Sequence, residues 1–170
     1  TDADLDNTTY EAAENKFLEN NVSKAIEGFK KYLLAFPEGL HTLQANFYLA
    51  QLHVKEGSNI EAIPNYEYVI DQPQSEFSEQ ALNKLSEILL EKEEWATAIP
   101  LLERLEEEAN LPLNILYAQS NLMKGYYQSE EFSKAVAYAE KILFQDKIDA
   151  TLEYDAKIII ARSAFQSEDF

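Results

Sequence analysis

The sequence contains no cysteine among its 170 residues, and it has only 4 glycines and 5 prolines. The absence of cysteine excludes disulfides and thiolate chemistry, and it leaves the redox compartment unassigned. So little glycine and proline, together with 46% hydrophobic residues, favours a folded and mostly helical chain over a disordered one. No apolar run approaches the roughly 20 residues that a membrane-spanning helix needs. The composition therefore predicts a helical domain or array.

Basic residues are also scarce. Lys and Arg number 14 against 31 Asp and Glu, which gives a formal net charge of −17. Such a surface repels nucleic acids and anionic membranes, so we expect no nucleic-acid partner. The acidity does not require a cationic partner, because Glu-rich helix faces keep many helical proteins in solution.

Motifs that carry chemistry are missing. The sequence has no phosphate-binding glycine loop, no nucleophile elbow and no HExxH, and His41 and His53 have no Cys partner. We expect both histidines to be structural or exposed. The segment DADLDN at 2–7 has the alternating carboxylates of a calcium loop, but Asn7 and Ala13 replace the required Gly and Glu, which predicts a solvated tail. No catalytic residue, metal or cofactor is predicted.

Four segments of the sequence share the pattern of one amphipathic helix. Its copies are SKAIEGFKKYLLAFP (23–37), IEAIPNYEYVIDQP (60–73), ATAIPLLERL (96–105) and SKAVAYAEKILF (133–144). Each copy has an alanine near its start, at Ala25, Ala62, Ala98 and Ala135, with spacings of 37, 36 and 37 residues. Self-similarity at this pitch predicts stacked pairs of helices, because a single pair does not bury its apolar face alone.

The residues within each copy resemble the tetratricopeptide repeat (TPR) family. The first helix of a pair has a small residue (Ala13, Ala50, Ser86 and Ala161), and an apolar residue follows the turn (Val22, Trp95, Phe132 and Phe170). The second helix adds a large residue four positions after its alanine (Phe29, Tyr66 and Leu102) and a proline beyond its end (Pro37, Pro73 and Pro112). The fourth repeat exchanges these sizes, with Met123 in its first helix and Ala139 in its second.

The resemblance implies an all-α fold, a right-handed superhelical solenoid of antiparallel helix pairs with about four and a half repeats. We expect a single TPR array over 1–170, with repeats at 8–37, 40–74, 76–110 and 112–146 and a half repeat at 150–170. The predicted nine helices are 8–20, 23–36, 40–56, 60–72, 76–92, 95–109, 112–128, 132–144 and 150–167.

The TPR resemblance also implies a concave face lined by the first helices. Its candidate partner-binding residues are Tyr10, Phe17, Phe47, Gln51, Lys55, Asn83, Lys124, Tyr127, Arg162 and Phe165. The alternative for each aromatic residue is a place in the core between helices. The chaperone carboxylate clamp is absent, because Tyr10, Glu14 and Tyr48 stand where that clamp has Lys and Asn.

These features predict a non-catalytic protein–protein interaction scaffold with a concave groove for a peptide or helix. We expect the partner to be a protein or a peptide. The alternatives are a structural spacer or self-assembly segment, and a regulatory array fused to an enzyme. The segment FLENNVSKAIEGFKKYL resembles sequences of large envelope TPR proteins of bacteroidetes. This resemblance implies a periplasmic or outer-membrane-associated location, with the cytoplasm as the alternative.

The ends of the chain suggest a fragment of a longer protein. It begins at Thr1 without Met, and its last helix carries IIIA at 158–161, which is apolar all round. Because terminal repeats normally carry a polar face, we expect self-association through this helix.

Overall fold

The computed structural model describes residues 1–167, and these form nine α-helices and no strand. The helices are α1 (Asp2–Leu18), α2 (Val22–Ala35), α3 (Thr42–Lys55), α4 (Asn59–Asp71), α5 (Ser78–Glu91), α6 (Trp95–Glu108), α7 (Pro112–Gln128), α8 (Phe132–Leu143) and α9 (Ala150–Ser167). The all-α prediction is confirmed, and eight of these helices begin within two residues of their predicted starts. Phe170, predicted as a turn-adjacent residue, lies outside the described residues.

The chain divides into two compact units, with the boundary inside α5. In the first unit, Thr1–Ile88, α1 packs against α2, α2 against α3, and α3 against α4. In the second unit, which starts at Leu89, α6 packs against α7, α7 against α8, and α8 against α9; α7 also contacts α9. The packing within each unit is therefore between helices that are neighbours, or next neighbours, along the chain.

Small residues at matching positions of the repeats are buried. The four alanines that define the repeat are fully buried: Ala25, Ala62, Ala98 and Ala135. In the first helices Ala13, Ala50 and Ser86 are also buried, and so is Met123 of the fourth repeat. Matching positions of the four repeats are therefore buried alike.

The prediction for Ala161 is wrong, because this residue is exposed. Helix α9 instead buries Leu152, Ala156, Ile159 and Ser163. These residues recur at intervals of three and four, so they form one face of the helix. Ala161 lies off that face.

The four turns between paired helices have the same backbone path. Each contains one residue with a positive φ, and these are Asn20, Gly57, Glu93 and Glu130. At Gly57 the N–H donates to the Val54 carbonyl at 3.0 Å, and the Ser58 N–H donates to the His53 carbonyl at 2.8 Å. The other three turns make the equivalent two bonds. This is the Schellman ending of a helix, which satisfies carbonyl groups left over at its last turn.

The prediction of a solvated tail at 2–7 is wrong. Helix α1 begins at Asp2, where Thr1 and Asp4 form a reciprocal capping box. Asp6 is buried and accepts hydrogen bonds from the Tyr32 hydroxyl at 2.6 Å and the Leu40 N–H at 2.9 Å. The segment is ordered because its carboxylate satisfies donors from α2 and from the chain that leads to α3.

A ring contact extends this polar network. The Tyr32 hydroxyl accepts from the His41 N–H at 2.9 Å, and the His41 ring stacks on Tyr10 with centroids 4.2 Å apart. Burial raises the pKa of Asp6, but the hydrogen bonds from Tyr32 and Leu40 and the charge of His41 outweigh it, so the pKa is lowered. His41 thus has the structural role predicted for it.

Candidate functional site

Helices α7 and α9 of the second unit line a cleft of about 480 Å³. From α7 come Leu113, Leu116, Tyr117, Ser120, Asn121 and Lys124; from the first turns of α9 come Thr151, Leu152 and Asp155, and Asp149 lies just before α9. The α7 residues follow one another at intervals of three and one, as the residues of one helix face do. The cleft is therefore formed by the first helices of two successive repeats.

A second cleft of about 390 Å³ lies further along the same two helices. It is lined by Tyr127, Ala161, Arg162, Phe165 and Gln166. Tyr127 follows Lys124 by three residues, and Arg162 follows Asp155 by seven, so both continue the faces that line the first cleft. We call the two clefts together the α7–α9 groove.

The α7–α9 groove is apolar at its ends and charged in the middle. Leu113 is 80% exposed at one end, and Phe165 is 70% exposed at the other. Between them the Lys124 ammonium lies 3.9 Å from the Asp155 carboxylate. Both side chains are partly open to solvent, so this ion pair contributes little and its groups stay accessible to a ligand.

Three of the predicted residues meet in the first unit. Phe17, Gln51 and Lys55 line a cleft of about 250 Å³ between α1 and α3, together with Asn20 and Leu52. Lys55 donates a hydrogen bond to the Asn20 side chain across this cleft. The Phe17 ring stacks on Tyr48 with centroids 4.8 Å apart. This cleft has about half the volume of the larger one between α7 and α9.

Tyr10 and Phe47 are not surface residues. Tyr10 is 5% exposed and donates its hydroxyl to Glu14 at 2.7 Å; burial, and after it this contact with the carboxylate, raise the pKa of Tyr10. Phe47 is 4% exposed and packs against Phe77 with centroids 4.7 Å apart. For these two residues the alternative of a core position between helices is correct.

Of the remaining five predicted residues, four line the α7–α9 groove and one does not. Lys124, Tyr127, Arg162 and Phe165 come together in the α7–α9 groove. Asn83 is half-buried on α5 and lines none of these clefts. Sequence reasoning missed Leu113, Leu116, Tyr117 and Leu152, although the run LPLNILY carries the spacing of one helix face.

Solved structures with the same arrangement of helices are TPR proteins. The first is YrrB, described as a TPR protein with an unusual peptide-binding site, with a TM-score of 0.69 over 92% of this chain and 76% of that one. The chain has the TPR fold. The two sequences are only 18% identical, so the likeness to YrrB concerns the fold of this chain and not what it binds.

Two further structures agree. A TPR protein from Parabacteroides merdae has a TM-score of 0.68 and 15% identity, over 95% of this chain; the chain spans 60% of that structure's length. MamA has a TM-score of 0.60 and 18% identity, over 94% of this chain and 86% of MamA. No protein-family model and no curated protein matches the sequence.

Within 1–167, no helix of this TPR chain is both long and apolar enough to cross a membrane.

Proposed function

We propose that this chain is a non-catalytic protein–protein interaction scaffold that binds a peptide or a partner helix in the α7–α9 groove. The observation that carries the proposal is the groove itself, in which exposed apolar side chains and accessible charges lie along two adjacent first helices. Exposed apolar side chains that lie beside accessible polar groups are typical of protein interaction sites.

The groove is long enough for a short peptide. Leu113 to Tyr127 covers 15 residues of α7, and the 14 steps between them, at about 1.5 Å each, span about 21 Å. An extended peptide of about six residues has this length, at about 3.3 Å per residue. Apolar side chains of the ligand would contact Leu113 at one end and Phe165 at the other. Lys124 and Arg162 would orient a carboxylate or a backbone carbonyl between them.

The test compares two aromatic residues of the groove with an exposed phenylalanine outside it. Peptides selected from a displayed library on the wild-type protein are synthesised, and their affinities are measured by fluorescence anisotropy. Phe165→Ala and Tyr127→Ala should each weaken binding about tenfold or more, which is about 1.4 kcal/mol. Phe144→Ala is the matched control, because Phe144 is 91% exposed at the end of α8 and lines neither cleft of the groove. Peptides that bind all three variants like the wild type, or no selected peptide, would overturn the proposal.

A spacer role is the second candidate, and one observation favours it for the first unit. Tyr10 and Phe47 are buried there, so the first helices α1 and α3 offer a ligand less apolar surface than was expected. If the first unit is a spacer, Lys55→Glu should leave the affinity for the selected peptides unchanged.

The location and the oligomeric state are also proposals. An envelope location rests on the similarity of the sequence to bacteroidete envelope proteins, and cell fractionation tests it. Self-association through α9 is supported by a cleft of about 350 Å³ that includes Phe132, Val136, Ile160 and Ala164. Ile160→Asp should then reduce the apparent mass measured by light scattering at high concentration.

A further inference from the structure

Three potential metal ligands meet at the turn between α3 and α4, in the first unit. They are His53 and Glu56 at the end of α3, and Glu61 in the first turn of α4. One donor atom from each side chain lies within 4.8 Å of the other two. The His53 side chain is only 3% exposed, whereas the two carboxylates reach solvent.

Hydrogen bonding alone accounts poorly for this arrangement. The Nδ1 atom of His53 lies 3.4 Å from the Glu56 Oε1 and 3.5 Å from the Glu61 Oε2. A hydrogen bond from nitrogen to oxygen is normally about 2.7–3.2 Å long, and one ring N–H serves a single acceptor well. Two carboxylates therefore face one nitrogen, and neither makes a short bond to it.

The same distances suit a tetrahedral metal ion. Zinc binds His nitrogen and carboxylate oxygen at about 2.0–2.2 Å, so two ligand atoms of a tetrahedral site lie about 3.3–3.5 Å apart. The two separations from His53 Nδ1 match this value. Glu61 is 62% exposed, so its carboxylate is free to move toward Glu56 and complete the site.

The backbone holds the three side chains close together before any metal ion binds. The Schellman turn at Gly57, with its φ of 84°, reverses the chain after Glu56 and brings the start of α4 back beside His53. His53 itself accepts one of the two turn hydrogen bonds through its carbonyl. The ligand set is thus attached to a fixed part of the fold.

The other three turns share the backbone path but not the ligands. The corresponding side chains are Lys16, Glu19 and Lys24; Leu89, Lys92 and Thr97; and Tyr126, Ser129 and Lys134. Lysine or threonine replaces the second carboxylate, and no second histidine is present at these positions. The combination is therefore not a requirement of the turn.

We propose that His53, Glu56 and Glu61 bind one divalent transition-metal ion of the zinc class, with water in the fourth position. An imidazole ligand favours zinc over magnesium and calcium, which take oxygen ligands. The bound ion links the end of α3 to the start of α4 and so stabilises the second helix pair. The site shares no residue with the α7–α9 groove.

The test uses zinc alone as the probe. The full chain, freed of metal by a chelator and dialysed, is titrated with Zn²⁺ against a chromophoric chelator of known affinity. One equivalent should bind, and Glu61→Gln should weaken binding at least about tenfold. The matched control is Glu67→Gln, which removes another exposed carboxylate of α4 and should leave the affinity unchanged. His53→Gln should abolish binding, and its helicity is checked by circular dichroism.

Two more readouts separate a built site from diffuse binding to an acidic surface. Co²⁺ substituted for Zn²⁺ should give the visible absorption of a tetrahedral complex, and this absorption should be lost in Glu61→Gln. Millimolar Mg²⁺ should not displace the zinc. Displacement by Mg²⁺, several weak equivalents, or equal effects of Glu61→Gln and Glu67→Gln would each overturn the proposal.

Discussion

A Cβ atom placed on Gly28 would lie 2.8 Å from the Cβ atom of Ala13 and 3.0 Å from its Cα atom. Helices α1 and α2 therefore approach so closely that one of the two facing residues has no side chain. The missing methyl group lets the backbones approach, at the cost of the lower helix propensity of glycine.

Gly28→Ala should destabilise the protein by about 1–2 kcal/mol. Overpacking against Ala13 costs about 1–3 kcal/mol, and the better helix propensity of alanine returns up to about 1 kcal/mol. The free energy of unfolding is measured by urea denaturation. The double variant Ala13→Gly/Gly28→Ala removes one of the two clashing methyl groups and should recover part of the loss. A Gly28→Ala variant as stable as the wild type would contradict the close approach.

Ala98→Leu should destabilise the second unit by about 1–3 kcal/mol, because Ala98 is fully buried where α6 packs and the larger side chain has no space. Ala96→Leu, two residues earlier on the exposed face of α6, is the matched control and should change stability by less than about 0.5 kcal/mol. Thermal unfolding followed by circular dichroism measures both. Equal midpoints for the two variants would argue against the repeat alignment.

Glu130→Gly should stabilise the protein by about 0.5–1 kcal/mol. Glu130 has a φ of 60°, a left-handed conformation that costs a residue with a side chain about 1–2 kcal/mol and costs glycine almost nothing. Part of the gain is offset because glycine loses more entropy on folding.

The reverse change, Gly57→Ala, provides the comparison. A Cβ atom on Gly57 would meet no atom within 4 Å, so the substitution tests backbone conformation without a clash. It should destabilise by about 1 kcal/mol in urea denaturation. We expect Glu130→Gly to raise the free energy of unfolding and Gly57→Ala to lower it. A change in the same direction for both variants would mean that side-chain contacts dominate these turns.

Asp6 should make the first unit sensitive to acid. Its pKa is lowered from the ordinary value of 3.8, so the folded state prefers the carboxylate. The stability this provides is complete above the pKa of the unfolded chain, and it is lost as the pH falls through the lower pKa of the folded state. Asp6→Asn should be less stable than the wild type at pH 6, and the difference between the two should shrink below pH 4.

Urea midpoints measured between pH 3 and pH 7 test this expectation. Tyr32→Phe, which removes one donor to Asp6, should show the same trend with a smaller amplitude. A difference between Asp6→Asn and the wild type that stays constant over this range would contradict the assigned role of the carboxylate.

The sequence predicted most of the fold, because each pair repeats both its helical periodicity and its small residues. The start of α1 was missed. Its order depends on Asp6 accepting a hydrogen bond from the N–H of Leu40, which is 34 residues away, and no local pattern indicates such a contact.

The candidate site was harder to predict, because exposure depends on which neighbour covers a residue. Phe47 and Phe165 both lie on first helices, yet Phe77 covers Phe47, while Phe165 remains 70% exposed. Periodicity places a residue on a helix face, but it does not tell whether another side chain closes over that face. Periodicity also does not predict that Glu56 and Glu61 lie beside His53, because the turn at Gly57 brings them there.

The turns of the four pairs are specified by backbone conformation and not by particular side chains. Asn, Gly and Glu all occupy the left-handed position, and the path of the chain is the same in each case. A duplicated pair can therefore accumulate substitutions at its turn without losing its geometry. Substitutions in one turn can therefore change the surface chemistry of that repeat while the remaining repeats preserve the fold.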